Sequence, residues 1–108
     1  MNTIFFDYDS SRLSENNKQL LSANAAWLKV NPGLTLLIEG HCDQRGSTEY
    51  NLALGERRAQ AVKNHLVSIG VDPNNLTIIS YGKERLLDMS DAESSLGKNR
   101  RANFVPVR

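Results

Sequence analysis

The sequence predicts an α+β fold, a two-layer α/β sandwich in which helices cover one face of a four-stranded mixed sheet. Short runs of β-branched and aromatic residues alternate with segments whose apolar residues recur at helical spacing. Clusters of Gly, Pro, Asn and Asp separate these segments. The resulting order, β-α-β-α-β-(short α)-β, implies two layers.

The first third of the chain is expected to form a strand, a helix and a second strand. Residues Ile4 to Asp9 begin apolar and end polar, which fits a short strand that runs into a loop. Ser14 is a candidate N-cap for a helix that Asn31-Pro32-Gly33 ends. Leu34 to Gly40 then predicts a strand with alternate apolar residues on one face. The apolar positions of the helix are Leu20, Leu21, Ala25 and Leu28, and those of the strand face are Leu34, Leu36 and Ile38.

The longest helix is predicted from Glu49 to about Ile69, with Gly70 in the position of a left-handed C-cap. A turn at residues 72–75 leads to a β-branched strand from Leu76 to Tyr81, which Gly82 ends. The apolar positions that follow the helical period are Leu52, Ala59, Val62, Leu66 and Ile69.

The C-terminal part predicts a short helix and a last strand. The best candidate for the helix is Asp91 to Leu96, with Gly97 as its stop. Arg101 to Val107 alternates well enough for a strand, and Pro106 restricts the end of that strand to an edge or an exit.

Length and charge narrow the function classes. The 108 residues suit a single domain, residues 1–108, with one core. Lys plus Arg number 13 and Asp plus Glu 12, so the overall charge gives no argument for nucleic acid or for an anionic membrane. No apolar run approaches the roughly 20 residues that span a bilayer. The start at Met1-Asn2-Thr3, directly before an apolar strand, suggests that an export signal or linker was removed from a longer protein.

Two weaker constellations remain as alternatives. Asp7, Asp9 and Asp43 could form a carboxylate group of the kind that glycoside hydrolases use, although Asp7 and Asp9 are more simply turn residues. The doublets Arg57-Arg58 and Arg100-Arg101 could bind phosphate, but they have acidic neighbours and few aromatic ones. We expect no nucleic-acid site and no enzyme, and a carboxylate-based hydrolase stays open as the alternative function.

Cys42 is the single cysteine, and we expect a small, partly buried thiol. His41 and Asp43 flank it and could converge on one face, because neighbours in a strand point to opposite sides. A zinc site would need further ligands that the sequence does not offer. We expect no metal and no cofactor.

Asp43 and Arg58 form the strongest candidate site. Asp43 lies just past the carboxyl end of a predicted strand, and the helix that follows can hold Arg58 opposite it. Such a pair can clamp a small zwitterion, because the carboxylate attracts an ammonium and the guanidinium grips a carboxylate in a planar fork. We expect Arg58→Leu and Asp43→Asn to abolish binding and leave the fold intact, because each residue lies on a loop or helix face and makes no core contact.

The same residues stand in motifs that resemble a known family. Ordered along the whole chain, they look like the peptidoglycan-associated lipoproteins (Pal) of Gram-negative bacteria, within the wider superfamily of OmpA C-terminal-like domains. Glu49-Tyr50-Asn51 together with Glu56-Arg57-Arg58-Ala59 favours Pal over flagellar-stator and porin-attached relatives, whose second motif usually has Leu-Ser in place of Leu-Gly. The motifs are Phe6 to Asp9, Glu39 to Gly46, Glu49 to Ala59, Ser80 to Glu84 and Lys98 to Arg101.

The resemblance implies an OmpA-like fold and non-covalent, non-catalytic binding of the peptidoglycan peptide stem. In that family the aspartate matching Asp43 takes the ammonium of meso-diaminopimelate, and the arginine matching Arg58 takes its carboxylate. Four further positions would shape the pocket: Tyr8, Asp9, Asn51 and Leu54.

The resemblance also implies partners and a location. The partners would be peptidoglycan, TolB and the Tol complex, at the periplasmic face of the outer membrane. A lipid anchor would belong to a longer precursor, because Cys42 lies inside the domain. Three departures from the common pattern leave the Asp43 and Arg58 pair in place: Cys42 for Ala or Thr, Gln44 for Glu, and Ser47-Thr48 for Thr-Pro.

Overall fold

The structure is a computed structural model that describes residues 1–86 and 93–107, with only the backbone for residues 93–95. A four-stranded sheet forms one of its layers. The strand order is β1-β4-β2-β3, in which β2 and β3 are parallel and β4 is antiparallel to both β1 and β2. The predicted mixed sheet is therefore confirmed. The strands are β1 (Ile4–Phe5), β2 (Thr35–His41), β3 (Leu76–Gly82) and β4 (Arg101–Val107).

Helix α1 spans Glu15–Lys29, as the sequence predicts. The hydroxyl of Ser14 accepts a hydrogen bond from the backbone N–H of Asn17 at 3.0 Å, which satisfies one of the free donors of the first turn. The helix ends before Pro32, since proline cannot continue the backbone hydrogen bonds.

Helix α2 spans Thr48–Ser68 and has a cap at each end. Ser47 accepts from the N–H of Tyr50 at 3.1 Å. At the other end, Gly70 adopts φ 106° and its N–H donates to the carbonyl of Val67 at 3.1 Å, while Val71 N–H reaches Leu66 at 3.0 Å. This is a Schellman motif, and it confirms the predicted glycine C-cap.

Helix α3 spans Glu93–Asn99 and corrects the predicted stop at Gly97. Gly97 lies inside the helix, because its carbonyl accepts the N–H of Arg100 at 3.3 Å and its φ is not left-handed. An interior glycine weakens a helix by about 1 kcal/mol but does not end it. The predicted start at Asp91 lies outside the described residues.

Strand β4 matches the predicted bounds. Pro106 lies opposite Leu36 of β2, whereas β1 pairs with β4 at Arg101 and Ala102, so within the described chain Pro106 has a neighbouring strand on one side. The expected edge position of this proline is confirmed.

The core lies between the sheet and the two long helices. Leu36 and Ile38 of β2 are fully buried beneath α1 and α2, whereas Leu37 on the opposite face is half-buried. No helix in the described ranges is long and apolar enough to cross a membrane. The buried apolar cluster consists of Ile4, Phe6, Leu21, Ala25, Leu36, Ile38, Ala59, Val62, Leu66, Leu76 and Ala102.

A glycine contact brings α2 close to the end of β2. A Cβ atom on Gly40 would lie 1.8 Å from the carbonyl oxygen of Gly55, so neither backbone could stay where it is with a side chain at this position. Arg58 follows Gly55 by one helical turn and therefore faces the same side of α2. The close approach places Arg58 at the carboxyl end of β2, next to Cys42 and Asp43.

Candidate ligand-binding site

A small pocket of about 40 Å³ opens where the loop after β1, the loop after β2 and the start of α2 meet. All six residues predicted from the sequence to bind a ligand line it. Four residues that were not predicted complete the lining. The predicted six are Tyr8, Asp9, Asp43, Asn51, Leu54 and Arg58, and the others are Cys42, Arg45, Gly46 and Tyr50.

Asp43 is 3% exposed, and two arginines lie against its carboxylate. Arg45 donates from Nη2 to Oδ2 at 2.7 Å and from Nε to Oδ1 at 3.3 Å, and its backbone N–H reaches Oδ1 at 3.0 Å. The Nη1 atom of Arg100 lies 3.5 Å from Oδ2. Burial acts to raise the pKa of Asp43, but the hydrogen bonds from Arg45 outweigh it, so the pKa lies below its usual value. Asp43 is therefore an anion at neutral pH.

Arg58 is fully buried, and its guanidinium ties three backbone segments together. Nε donates to the carbonyl of Ser10 at 2.8 Å, Nη1 to that of His41 at 2.9 Å and Nη2 to that of Asp7 at 3.0 Å. Its carbon Cζ lies 5.2 Å from the centre of the Phe6 ring. The sequence placed Arg58 on a helix face outside the core. The structure corrects this, because the side chain joins the β1 loop to the end of β2.

Burial lowers the pKa of Arg58, yet the guanidinium stays charged because its usual pKa lies far above neutrality. A guanidinium has five N–H donors, so three bonds to carbonyls leave two. On the side of the Arg58 guanidinium that faces the pocket, next to Cys42, these two N–H donors can bind a ligand. Chemically, the pocket combines a buried anion with a buried cation.

The rim is built from the β1 loop and the start of α2. Tyr50 donates its hydroxyl proton to the carboxylate of Asp9, a residue with φ 51°. This bond joins the start of α2 to the loop after β1. The ring of Tyr8 lies 3.9 Å below the guanidinium of Arg45. Asn51 donates from Nδ2 to the carbonyl of Arg45 at 2.7 Å and so fixes the loop after β2.

Comparison with known proteins assigns the fold a family. The sequence model of the OmpA family matches residues 5–100. The chain belongs to the OmpA family. It is 50% identical over 102 residues to the peptidoglycan-associated lipoprotein of Brucella melitensis, which covers 94% of this chain and 61% of that protein. The corresponding lipoprotein of Haemophilus influenzae is 44% identical over 101 residues, which is 94% of this chain and 66% of that protein.

Solved structures agree with this assignment. The peptidoglycan-associated lipoprotein of Burkholderia pseudomallei superposes with a TM-score of 0.94 at 38% identity, covering 99% of this chain and 91% of that one. The C-terminal domain of Helicobacter pylori MotB gives 0.92 at 20% identity, covering 100% and 85%, and shows the shared fold alone. The resemblance to the Pal group is confirmed. The chain spans 61% of the length of its Brucella relatives.

Cys42 in this OmpA-family domain is a free thiol that is 2% exposed, more deeply buried than the partly buried thiol expected from the sequence. Its Sγ donates to the carbonyl of Asn51 at 3.2 Å, and burial raises the pKa of the thiol. A raised pKa disfavours the thiolate that nucleophilic or metal-binding cysteines need. Within residues 1–86 and 93–107, no group of three or more His, Cys, Asp or Glu side chains could hold a metal ion.

His41 and Asp43 do not converge. His41 is 1% exposed, its Nε2 is 3.2 Å from Glu39 Oε1, and its ring centre is 5.4 Å from that of Tyr81. Burial, followed by the charge of Arg101, lowers the pKa of His41. The histidine side chain therefore takes no part in the pocket.

In this OmpA-family domain Asp7 lies apart from the other two candidate carboxylates, and the two members of each arginine doublet differ in exposure or in contacts. Asp9 and Asp43 share the pocket, whereas Asp7 is exposed and lines a neighbouring surface depression. Arg57 is exposed while Arg58 is buried. Arg100 points to Asp43, and Arg101 lies near Glu39. The doublets form no common basic surface.

Sequence reasoning missed Arg45 and Tyr50 as pocket residues and Arg100 as a partner of Asp43. Arg45 follows Asp43 by two positions in a turn, a spacing at which side chains can meet, and this was an available signal. Arg100 could not be found this way, because only the β4 to β2 pairing places it next to Asp43.

Proposed function

We propose that the pocket binds the free end of meso-diaminopimelate in the peptide stem of peptidoglycan, without covalent bonds and without catalysis. Asp43 takes the ammonium, and Arg58 uses its two remaining N–H donors for the carboxylate. The observation that carries this proposal is that a buried anion and a buried cation line one pocket at the end of β2. The names of the relatives support it, since they are peptidoglycan-associated lipoproteins.

The other four predicted residues shape this site. Leu54 is 4% exposed and offers an apolar wall for the methylene chain of the ligand. Tyr8, Asp9 and Asn51 hold the loops on either side. The bound end is therefore recognised at both charges and along its chain.

We extend the proposal to the whole protein from its relatives. The domain links the outer membrane to the cell wall from the periplasmic side, through a lipid anchor outside this chain. Its protein partners are TolB and the Tol complex. These assignments depend on the resemblance to the Pal group and on no contact in the structure.

A hydrolase is the alternative that the Asp9 and Asp43 pair raises. Glycoside hydrolysis needs a general acid whose pKa is raised so that it holds a proton near neutral pH. The pKa of Asp43 lies below its usual value, and both of its oxygens accept hydrogen bonds from Arg45. This environment favours a fixed anion over a proton donor, so we favour binding.

Incubation with purified sacculi separates the two functions. We expect the domain to sediment with the wall and to release no fragments. Asp43→Asn should lose sedimentation, because removal of one member of a buried charge pair commonly costs about 2 to 5 kcal/mol. Arg57→Ala is the matched control and should sediment like the wild type. Soluble muropeptides in the supernatant would support the hydrolase instead.

A further inference from the structure

The carboxylate that should receive the ligand ammonium is already occupied. Arg45 lies against both oxygens of Asp43, at 2.7 Å from Oδ2 and 3.3 Å from Oδ1. Two parallel N–H bonds from a guanidinium to a carboxylate are the strongest ion-pair geometry that side chains form. A cation of the protein itself thus stands where the ligand cation would bind.

The side chain of Arg45 is held in this position by more than Asp43. The ring of Tyr8 lies 3.9 Å from its guanidinium carbon, within the range of a cation–π contact. Asn51 fixes its carbonyl at 2.7 Å. Arg45 therefore closes the pocket from the β2 loop across to the β1 loop, while 37% of its side chain remains exposed.

The pocket is narrow in this state, and Arg45 is one of the residues that line it. Its volume of about 40 Å³ holds a few water molecules. The end of diaminopimelate carries an ammonium, a carboxylate and the carbon that joins them. Arg58 also lines the pocket and is fully buried, so the carboxylate has to enter the pocket to reach it. The side chain of Arg45 stands beside Asp43 on that path and is 37% exposed.

We propose that Arg45 is a latch: an internal competitor that occupies Asp43 in the free protein and must be displaced by the ligand ammonium. The inference rests on the proposed function, because it assumes that Asp43 receives that ammonium. Displacement exchanges one cation for another at Asp43, so the carboxylate is never left unpaired. A ligand that lacks the ammonium cannot make this exchange. The latch therefore makes a positive charge a condition of entry.

Removal of the latch should tighten binding. Arg45→Ala keeps the backbone N–H that bonds Asp43 but removes the guanidinium, so the ligand no longer competes with it. A partly exposed ion pair contributes up to about 1 kcal/mol, which corresponds to an increase in affinity of about fivefold for a diaminopimelate-containing muropeptide. Arg45→Lys keeps the charge without the planar fork and should fall between the two.

Isothermal titration of that muropeptide into the wild type, Arg45→Ala, Arg45→Lys and Arg57→Ala tests the latch. The control Arg57→Ala removes the same charge from an exposed residue that does not line the pocket and contacts it only at the ring of Tyr50, so its affinity should change much less than that of Arg45→Ala. Equal or weaker binding by Arg45→Ala, with the wild type still binding, would overturn the latch and leave the proposed function standing. Absence of binding by the wild type and every variant would overturn both.

A ligand-free measurement gives an independent readout. Carboxyl-carbon NMR should show a higher pKa for Asp43 in Arg45→Ala than in the wild type, because the side-chain hydrogen bonds and the charge of Arg45 are lost while its backbone N–H bond stays. An unchanged titration would show that Arg45 does not occupy the carboxylate in solution, and the latch would fall.

Discussion

Replacement of Arg58 by leucine should destabilise the fold as well as the site. The sequence alone suggested that Arg58→Leu leaves the fold intact, since it placed this residue on a cleft-facing helix surface. In the structure the guanidinium is fully buried and donates to the carbonyls of Asp7, Ser10 and His41. These bonds tie the loop after β1 and the end of β2 to α2.

The size of the effect follows from those three bonds. A hydrogen bond to a charged group contributes about 1.5 to 3 kcal/mol, and a buried acceptor left without a donor costs about 1 to 3 kcal/mol. The losses do not add fully, since water can reach the carbonyls of Asp7 and Ser10, and leucine regains some apolar burial. We expect a net loss of about 3 to 5 kcal/mol, a large part of the ~5 to 15 kcal/mol that stabilises a typical domain.

Urea denaturation followed by far-UV circular dichroism measures this loss. The adjacent, exposed Arg57 supplies the control, and Arg57→Leu should change the free energy of unfolding by less than about 0.5 kcal/mol. Arg58→Lys retains the charge with fewer donors and should give an intermediate value. If Arg58→Leu unfolds within about 1 kcal/mol of the wild type, the three carbonyl bonds do not stabilise the fold and our account of Arg58 is wrong.

Further predictions concern the strand end and its surroundings. Gly40→Ala should destabilise the fold strongly, because its Cβ would lie 1.8 Å from a backbone carbonyl of the facing helix. Gly97→Ala should be tolerated, because the nearest atom to its Cβ is the end of the Arg100 side chain at 3.4 Å. Thermal denaturation of the two variants compares these effects. The pKa of Asp43 is lowered on folding, so the wild type should lose stability as the pH falls below 3.8, the usual pKa of an aspartate. Urea titrations between about pH 2 and pH 5 should show that Asp43→Asn lacks this pH-dependent loss. The lowered pKa of His41 means that the unfolded chain binds the proton first, so stability should rise with pH up to about 6.5, and a His41→Gln variant that shows the same rise would contradict this. Cys42→Ala should keep ligand affinity and lose about 1 kcal/mol of stability, and zinc-dependent binding by the wild type would contradict the structural role of the thiol.

The fold followed from the sequence wherever local signals were strong. Ser14 and Gly70 marked helix ends that the structure retains, and the alternation in residues 101–107 gave the bounds of β4. The one wrong stop, at Gly97, came from treating glycine as a helix end. The carbonyl of Gly97 keeps its hydrogen bond to Arg100, and a helix ends at a glycine only where the backbone turns left-handed.

The sequence predicted which residues form the site, but it did not predict how their side chains are buried and paired. Spacing and family resemblance indicated which side chains meet at the end of β2, and all six line the pocket. The burial of Arg58 was not predictable, because it depends on the glycine contact that presses α2 against β2. The occupancy of Asp43 by Arg45 depends likewise on loop geometry that a linear pattern does not encode.

Selectivity between stem peptides probes the chemistry of both charges. Lysine keeps the side-chain ammonium for Asp43 but lacks the second carboxylate for Arg58. A site built to bond a polar group discriminates against the analogue without it, because its own donors remain unpaired. We expect at least a roughly tenfold preference for diaminopimelate over lysine muropeptides by calorimetry, equivalent to about 1.4 kcal/mol. Equal affinities would show that the pair is not the recognition device.

The most direct measurement is a crystal structure of the domain with a diaminopimelate-containing muropeptide. Our account predicts the ligand ammonium within about 3 Å of Asp43, the carboxylate at a similar distance from Arg58, and Arg45 turned away from Asp43. A muropeptide bound elsewhere on the surface, with Arg45 still paired to Asp43, would contradict it.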